Sequence, residues 1–217
     1  MSRAELAWPP PPADLDPALE HCLRDVGAGM RFVHHPFVVD IYSPELNAHY
    51  NAKLQHKAQL VAERSPTDAL TLYERPYRLS RLIEIWRDGE ADQAALSEAL
   101  AWVWPDAELD DTLANPLVHD VLALLHELGF CTDRPDTPRP STDLTIWRGG
   151  MPDGVAWSTD IEVARFFARR FATGAPEPIH KATVAPEHVM ARFFGRGESE
   201  VFADPRTLTG VQAVVGG

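Results

Sequence analysis

Six residues in the last third of this 217-residue chain form three groups that could carry out chemistry. They are an arginine with the glycine after it, a Ser-Thr pair and a Glu-x-Glu motif: Arg148 and Gly149, Ser158 and Thr159, and Glu198 and Glu200. A guanidinium can bind phosphate oxygens with two parallel hydrogen bonds, and carboxylates can stabilise a positive charge that develops during a reaction. Two carboxylates so close together repel unless a cation or a ligand relieves them. The three groups together therefore indicate a site for a charged ligand.

Short strands are predicted to carry these residues. Six strands are expected at residues 144–148, 155–159, 179–184, 190–194, 200–202 and 211–215. A helix is expected over residues 161–171, and Thr159 or Asp160 would supply the oxygen that caps its first turn. Because side chains two apart on a strand share a face, Glu198 and Glu200 are expected on the same face.

The front of the chain has a different pattern, which is mostly helical from Leu19 to Gly129. Helices are expected at residues 46–63, 78–86, 94–102 and 116–128. The prolines of residues 131–143 predict a linker, because proline cannot continue a helix. We therefore predict an α+β protein with a flexible Pro-rich arm, a helical N-terminal domain, a linker and a C-terminal core, over residues 1–16, 17–130, 131–143 and 144–217.

The order of Arg, Ser-Thr and Glu-x-Glu resembles the R-S-E class of mono-ADP-ribosyltransferases. The match lies in WRGG (147–150), in WSTD (157–160) with the Phe-rich helix after it, and in GRGESEV (195–201). Two earlier segments, HHPFV (34–38) and YERPYR (73–78), look like parts of a bacterial family in which a helical front precedes such a C-terminus. The resemblance implies that the last third forms a compact split β-sandwich that binds NAD as co-substrate.

The same resemblance implies a role for each residue. Arg148 would bind a phosphate of NAD, and Gly149 would offer its backbone to the nicotinamide carboxamide. Ser158 would orient the catalytic glutamate or the nicotinamide ribose. Glu200 would hydrogen-bond the ribose 2′-hydroxyl and stabilise the cation that forms as nicotinamide leaves. Glu198 would meet the nucleophile, and its negative charge favours a protein arginine as acceptor.

Other interpretations stay open at this point. Thr159 is included among the NAD-binding residues, but the Ser-Thr pair could simply cap a helix. Arg148 could form a structural salt bridge with Glu200, and both glutamates could lie on a solvated edge strand. If water were the acceptor, the same site would make the protein an NAD glycohydrolase. A catalytically silent interaction module is the alternative from another class, and the tryptophans of the front half would then be helical core.

The composition and charge of the chain disfavour several classes of partner and indicate a cellular location. With 20 Lys+Arg against 32 Asp+Glu the formal charge is −12, which disfavours nucleic acid, although a nucleic-acid acceptor stays an alternative. No stretch approaches the roughly 18 apolar residues of a membrane span, and we expect no secretory signal. Two cysteines predict no disulfide framework and favour a reducing cytoplasm. We predict no metal, because His34 and His35 lack a third ligand at zinc-like spacing. The 17 arginines against 3 lysines indicate a GC-rich bacterial or phage source.

Overall fold

A computed structural model describes residues 14–107, 109–170, 172 and 174–214. The chain forms two compact units, Met1–Arg78 and Leu79–Gly217. Both combine helices with β-strands, so the protein is mixed α and β as the sequence predicts. The finer prediction, a split β-sandwich of the ADP-ribosyltransferase type, stays a prediction. Within the described ranges, none of the helices combines the length and apolar character that crossing a membrane requires.

The first unit contains a three-stranded antiparallel sheet in the order β1-β2-β3. Its strands are β1 (Leu23–Gly27), β2 (Met30–His35) and β3 (Val38–Ile41). The prediction of a helical domain over residues 17–130 included no strands, so these three strands correct it at its start. The physical reason is local: the segment from Met30 to Ile41 is rich in β-branched and aromatic residues, which favour strands. The tight turn before it uses the positive φ angles of Gly27, Ala28 and Gly29.

Four helices follow or precede this sheet, and the chain divides within the last of them. They are α1 (Pro17–Glu20), α2 (Asn47–Ala62), α3 (Pro66–Ala69) and α4 (Arg75–Arg87). The core of the first unit is built from Leu15, Leu19, Leu23, Val33, Val38 and Tyr50. Of the predicted flexible arm, residues 1–13 lie outside the described residues. Leu15 is buried in this core, and the Asp16 carboxylate caps α1.

The second unit contains two helices followed by a seven-stranded sheet. The helices are α5 (Gln93–Asp106) and α6 (Pro116–Leu128). The strands are β4 (Cys131–Thr132), β5 (Leu144–Gly149), β6 (Ala156–Ser158), β7 (Ile179–Val184), β8 (Val189–Phe193), β9 (Glu200–Ala203) and β10 (Thr209–Val214). Helix α7 (Ile161–Arg170) connects β6 to β7. The six strands predicted at the end of the chain are confirmed to within about two residues over the described part.

The strand order in this sheet is β10-β7-β5-β6-β9-β8-β4. All neighbours are antiparallel except β4, which runs parallel to β8. Apolar residues of five strands form the core of the sheet: Ile146, Trp157, Ala182, Val184, Val189, Val201 and Ala203. The predicted linker at 131–143 does not coincide with the division of the chain. Its first two residues form β4, and α5 packs against β4, so the helices before the linker belong to the same unit as the sheet.

Candidate functional site

A cleft of about 590 Å³ opens in the second unit. Its walls are the ends of β5, β6 and β9, the start of the segment after α5, and one side of α7. The volume lies within the roughly 300–1,000 Å³ of small-molecule sites in proteins. Five of the six predicted site residues line this cleft: Arg148, Gly149, Ser158, Glu198 and Glu200.

Strand pairing explains why residues so far apart in sequence meet here. β6 lies between β5 and β9, and all three are hydrogen-bonded neighbours. Ser158 pairs with Trp147 on one side and with Glu200 on the other. Arg148, the residue after Trp147, therefore lies at the same level of the sheet as the serine and the glutamate.

Glu200 is the buried acid of the cleft. Its exposed fraction is 8%, and its Oε1 accepts a hydrogen bond of 2.6 Å from the indole Nε1 of Trp104. Burial raises the pKa of Glu200 from 4.5 to about 7. The hydrogen bond from Trp104 and the charge of Arg148 oppose this rise in the pKa, whereas the charges of Glu198 and Asp111 add to it. Glu200 therefore changes its protonation state near neutral pH, and a cation in the cleft would favour the ionised form.

Glu198 reaches the cleft by a different route from the one predicted. The strand begins only at Glu200, and Glu198 ends a 3-10 turn over Gly195–Gly197. Ser199 between them has a φ of 46°, a left-handed conformation that non-glycine residues rarely adopt. The expectation that period-two geometry aligns the two carboxylates is therefore wrong, because no strand includes both. A strained turn brings both glutamates to the same cleft.

The end of β6 holds this strained turn through its backbone. The Ser158 hydroxyl donates to the Glu198 carbonyl at 2.6 Å. Thr159 donates to the Ser199 carbonyl twice, from its backbone N–H at 3.2 Å and from its hydroxyl at 3.5 Å. The Ser-Thr pair thus fixes the backbone of the Glu-x-Glu segment.

Thr159 itself does not line the cleft in the described part of the chain. Nor does its hydroxyl cap α7: the Asp160 carboxylate accepts the N–H of Glu162 at 2.8 Å, so Asp160 is the capping residue. Of the two predicted caps, Asp160 is confirmed.

Arg148 is engaged by the protein itself. Its two terminal nitrogens donate to the two oxygens of Asp111 at 2.6 and 2.7 Å, which is a bidentate pair. Its Nε donates to the Met151 carbonyl at 2.6 Å, and Nη1 also donates to the Ala156 carbonyl at 2.5 Å. Four of the five guanidinium N–H groups are thereby used within the described residues. The alternative of a salt bridge to Glu200 is wrong in its partner, which is Asp111.

Two glycines allow this packing. A Cβ on Gly154 would lie 2.1 Å from the Cζ of Arg148, so only glycine leaves room for the flat guanidinium. A Cβ on Gly149 would lie 2.2 Å from the carbonyl oxygen of Ala164, so this glycine lets α7 pack directly on β5. Both glycines shape the cleft by their lack of a side chain.

Acidic side chains predominate around the cleft. Among the described residues that line it, five are acidic and two are basic: Asp110, Asp111, Glu177, Glu198 and Glu200 against Arg148 and Arg170. Aromatic residues add apolar surface, namely Trp104, Trp147, Trp157 and Phe167. This lining suits a ligand with a cationic, flat, partly apolar group.

Of the cleft residues that the sequence analysis missed, Trp104 and Asp111 make the direct contacts with Glu200 and Arg148. Trp104 belongs to an apolar helix and is read as core from its pattern alone, and nothing in the sequence distinguishes Asp111 from its acidic neighbours.

Comparisons with protein-family models, with curated proteins and with solved structures found no match for this chain. Among the described residues, no group of three or more His, Cys, Asp or Glu side chains is arranged to hold a metal ion.

Proposed function

We propose that this chain is a mono-ADP-ribosyltransferase, which cleaves NAD, releases nicotinamide and transfers ADP-ribose to a protein arginine. One observation carries the proposal: Arg148, Ser158 and Glu200 lie on three adjacent strands and line one cleft. The resemblance of their motifs to the R-S-E class predicts a shared site, and strand pairing is an independent reason why they meet.

The charges of the cleft suit the group that leaves. The nicotinamide ring of NAD carries a positive charge, and of the seven charged residues that line the cleft in the described part of the chain, five are acidic. When the bond from C1′ of the ribose to the ring nitrogen breaks, its electron pair passes to nicotinamide, which leaves neutral. The positive charge remains on the ribose, where the ionised carboxylate of Glu200 stabilises it.

The acceptor half of the reaction falls to Glu198. A guanidinium nitrogen of the target arginine forms the new bond to C1′ and gives up one proton. Glu198 lines the cleft beside Glu200, so its carboxylate can pair with that guanidinium and take the proton. An arginine is a better acceptor here than a neutral group, because the site around it is acidic.

The phosphates of NAD receive less from Arg148 than the resemblance implies. The Asp111 carboxylate and two backbone carbonyls occupy four of its N–H groups, so a single Nη2 N–H is left for a phosphate oxygen. In this proposal Arg148 chiefly anchors the floor of the cleft and contributes one hydrogen bond to the diphosphate.

Release of nicotinamide from NAD tests the proposal directly. The wild-type protein is expected to release it, and Glu200→Gln, which keeps the size of the side chain but removes the charge, is expected to lower the rate roughly 10²–10³-fold. Glu98→Gln makes the same chemical change at an exposed residue of α5 that does not line the cleft, and it is expected to stay active. A folded wild-type protein that releases no nicotinamide, and whose melting temperature does not change with NAD, would overturn the proposal.

The acceptor is tested separately with labelled NAD and a mixture of arginine-rich proteins. Glu198→Ala should retain hydrolysis of NAD and lose protein labelling. Labelling that survives mild hydroxylamine treatment, or that does not depend on arginine, would point to another acceptor. Free ADP-ribose as the only product of the wild type would make the protein an NAD glycohydrolase.

A further inference from the structure

Trp104 lies at the point where the end of α5 meets the cleft. Its exposed fraction is 5%, and its indole N–H donates to Glu200 at 2.6 Å. Among the described residues, Trp104 is the one hydrogen-bond donor to the Glu200 carboxyl group. The indole is a donor only, so it can bind the carboxylate without accepting a proton from it.

Strand β9 fixes the indole as well as the acid. The ring packs edge-to-face on Phe202, with centroids 4.8 Å apart and an interplanar angle of 72°. Phe202 lies two residues after Glu200, so both side chains project from the same face of β9. One contact holds the ring in place, and the other holds Oε1 of the glutamate.

We propose that Trp104 is a positioning residue for the proposed transfer reaction: its indole N–H holds Oε1 of Glu200 and favours the ionised carboxylate, which leaves Oε2 for the ribose. This inference rests on the proposed function. It goes beyond the motifs of the R-S-E class, because Trp104 lies in α5, before the predicted linker and outside every one of these motifs.

The other groups around Glu200 show why such a donor matters. Asp111 and Glu198 are both acidic and oppose ionisation of Glu200. Arg148 favours it, but this guanidinium is already paired with Asp111. A hydrogen bond to a carboxylate in a site of low dielectric favours the charged form. Trp104 supplies that hydrogen bond without adding a charge that would repel a cationic substrate.

The remaining charged residues of the cleft also influence the ionisation of Glu200. Asp110 follows α5, Arg170 ends α7, and Glu177 precedes β7. Each is unchanged in the experiment below, so a shift in the titration of Glu200 reports the loss of the indole N–H.

The test is the pH dependence of kcat/KM for nicotinamide release in Trp104→Phe. A phenyl ring keeps an aromatic contact with Phe202 but has no N–H. The acid limb of the profile, which reports the free enzyme, is expected to move upward by about one pH unit. The rate at pH 6 should therefore fall roughly tenfold, and it should recover to near the wild-type value above pH 9.

Trp86→Phe is the matched control. The Trp86 indole also donates to a glutamate, Glu127, at 2.9 Å, but this pair lies outside the cleft, with Trp86 half-buried and Glu127 exposed. The same substitution there should leave the acid limb unmoved. If Trp104→Phe folds poorly, incorporation of benzothienylalanine at position 104 gives a ring of nearly the same size that has sulfur in place of the N–H.

Two outcomes would overturn the inference. One is a rate that is lowered equally at every pH, which would mean that the ring only packs. The other is a benzothienylalanine protein with the wild-type profile. A ¹³C NMR titration of the Glu200 carboxyl, assigned with Glu200→Gln, measures the same shift without activity. If the wild type releases no nicotinamide but this titration moves upward in Trp104→Phe, the proposed function has failed while Trp104 still favours the ionised carboxylate.

Discussion

The two sides of the cleft treat charge in opposite ways. On one side, Arg148 is 12% exposed and is paired with both oxygens of Asp111. On the other, Glu200 is 8% exposed and has the neutral Trp104 as its donor, with two further carboxylates nearby. A buried charge that is paired and hydrogen-bonded stabilises its own geometry, whereas a buried charge with a neutral partner is held at an energetic cost.

This difference assigns an anchoring role to the Arg148 side of the cleft and leaves the Glu200 side able to respond to a ligand. The paired side has little to gain from a ligand, because its hydrogen bonds are already made. The Glu200 side gains most from a bound cation, which would stabilise the ionised carboxylate. Burial of Glu200 therefore costs the second unit part of its folding free energy, and carboxyl groups with a pKa perturbed in this way cluster at functional sites.

Removal of the pairing partner is expected to give the largest effect on stability. Asp111→Ala leaves the Arg148 guanidinium largely buried without its counter-ion and removes the acceptor of the Ala156 N–H. Breaking a buried pair in this way costs about 4 kcal/mol of the free energy of unfolding. Urea denaturation at pH 7.5 measures it. Asp110→Ala is the control, since it removes an exposed neighbouring charge; equal effects of the two substitutions would contradict the anchoring role.

Substitution of Glu200, which has no counter-ion of its own among the described residues, is expected to raise the free energy of unfolding rather than lower it. The pKa of Glu200 is about 7 in the folded protein against 4.5 for an ordinary glutamate, so the folded state keeps this proton up to a higher pH than the unfolded chain does. The stability of the wild type therefore falls as the pH rises from about 4.5 to about 7. Glu200→Gln removes this dependence and should be roughly 3 kcal/mol more stabilising at pH 8 than at pH 4.

Chemical denaturation at a series of pH values measures that difference. Glu177→Gln, the same change at an exposed cleft position, is the control for the loss of one negative charge. A Glu200→Gln protein that is less stable than the wild type at pH 8 would mean that the ionised acid has a partner that stabilises it, and the contrast between the two sides would disappear.

A smaller effect is expected when the packing under the guanidinium is changed. Gly154→Ala would place a methyl group 2.1 Å from the Cζ of Arg148, and the guanidinium would have to move away from Asp111. Overpacking of this kind costs about 2 kcal/mol. Thermal unfolding measures it, with Gly174→Ala as the control because a Cβ there meets nothing within 4 Å. Equal melting temperatures for the two variants would show that the guanidinium moves freely.

The sequence motifs predicted Arg148, Ser158 and Glu200 as residues of one site, but they could not predict the hydrogen-bond partners of Arg148 and Glu200. Arg148, Ser158 and Glu200 each end or begin a strand whose apolar residues are recognisable locally, and they follow one another in a known order of motifs. Asp111 is 37 residues from Arg148, and Trp104 is 96 residues from Glu200. No local pattern specifies which of several acids or tryptophans will lie at such a distance.

The same limit applies to the fold. Helices such as Pro116–Leu128 have a regular apolar stripe and are predicted correctly. The strands of the first unit were missed because they are short and mostly exposed: in β1 (Leu23–Gly27) a single residue is buried, so no alternation of buried and exposed residues marks it. Pairing with β2, rather than a pattern of its own, specifies β1, whereas β2 and β3 are marked only by their β-branched and aromatic residues.

The smallest effect is expected from a paired charge that is not buried. In the second unit, Arg87 and Asp120 form a salt bridge of 2.5 Å, but the side chain of Arg87 is 57% exposed. Solvent screens such pairs, so Arg87→Ala should change the free energy of unfolding by at most about 0.5 kcal/mol. Urea denaturation measures the free energy of unfolding of this variant in parallel with that of Asp111→Ala. Asp120→Ala, which removes the carboxylate of the exposed pair, is the variant matched to Asp111→Ala. A large difference between these two variants would assign the anchoring effect to burial, whereas similar losses would show that pairing alone is sufficient.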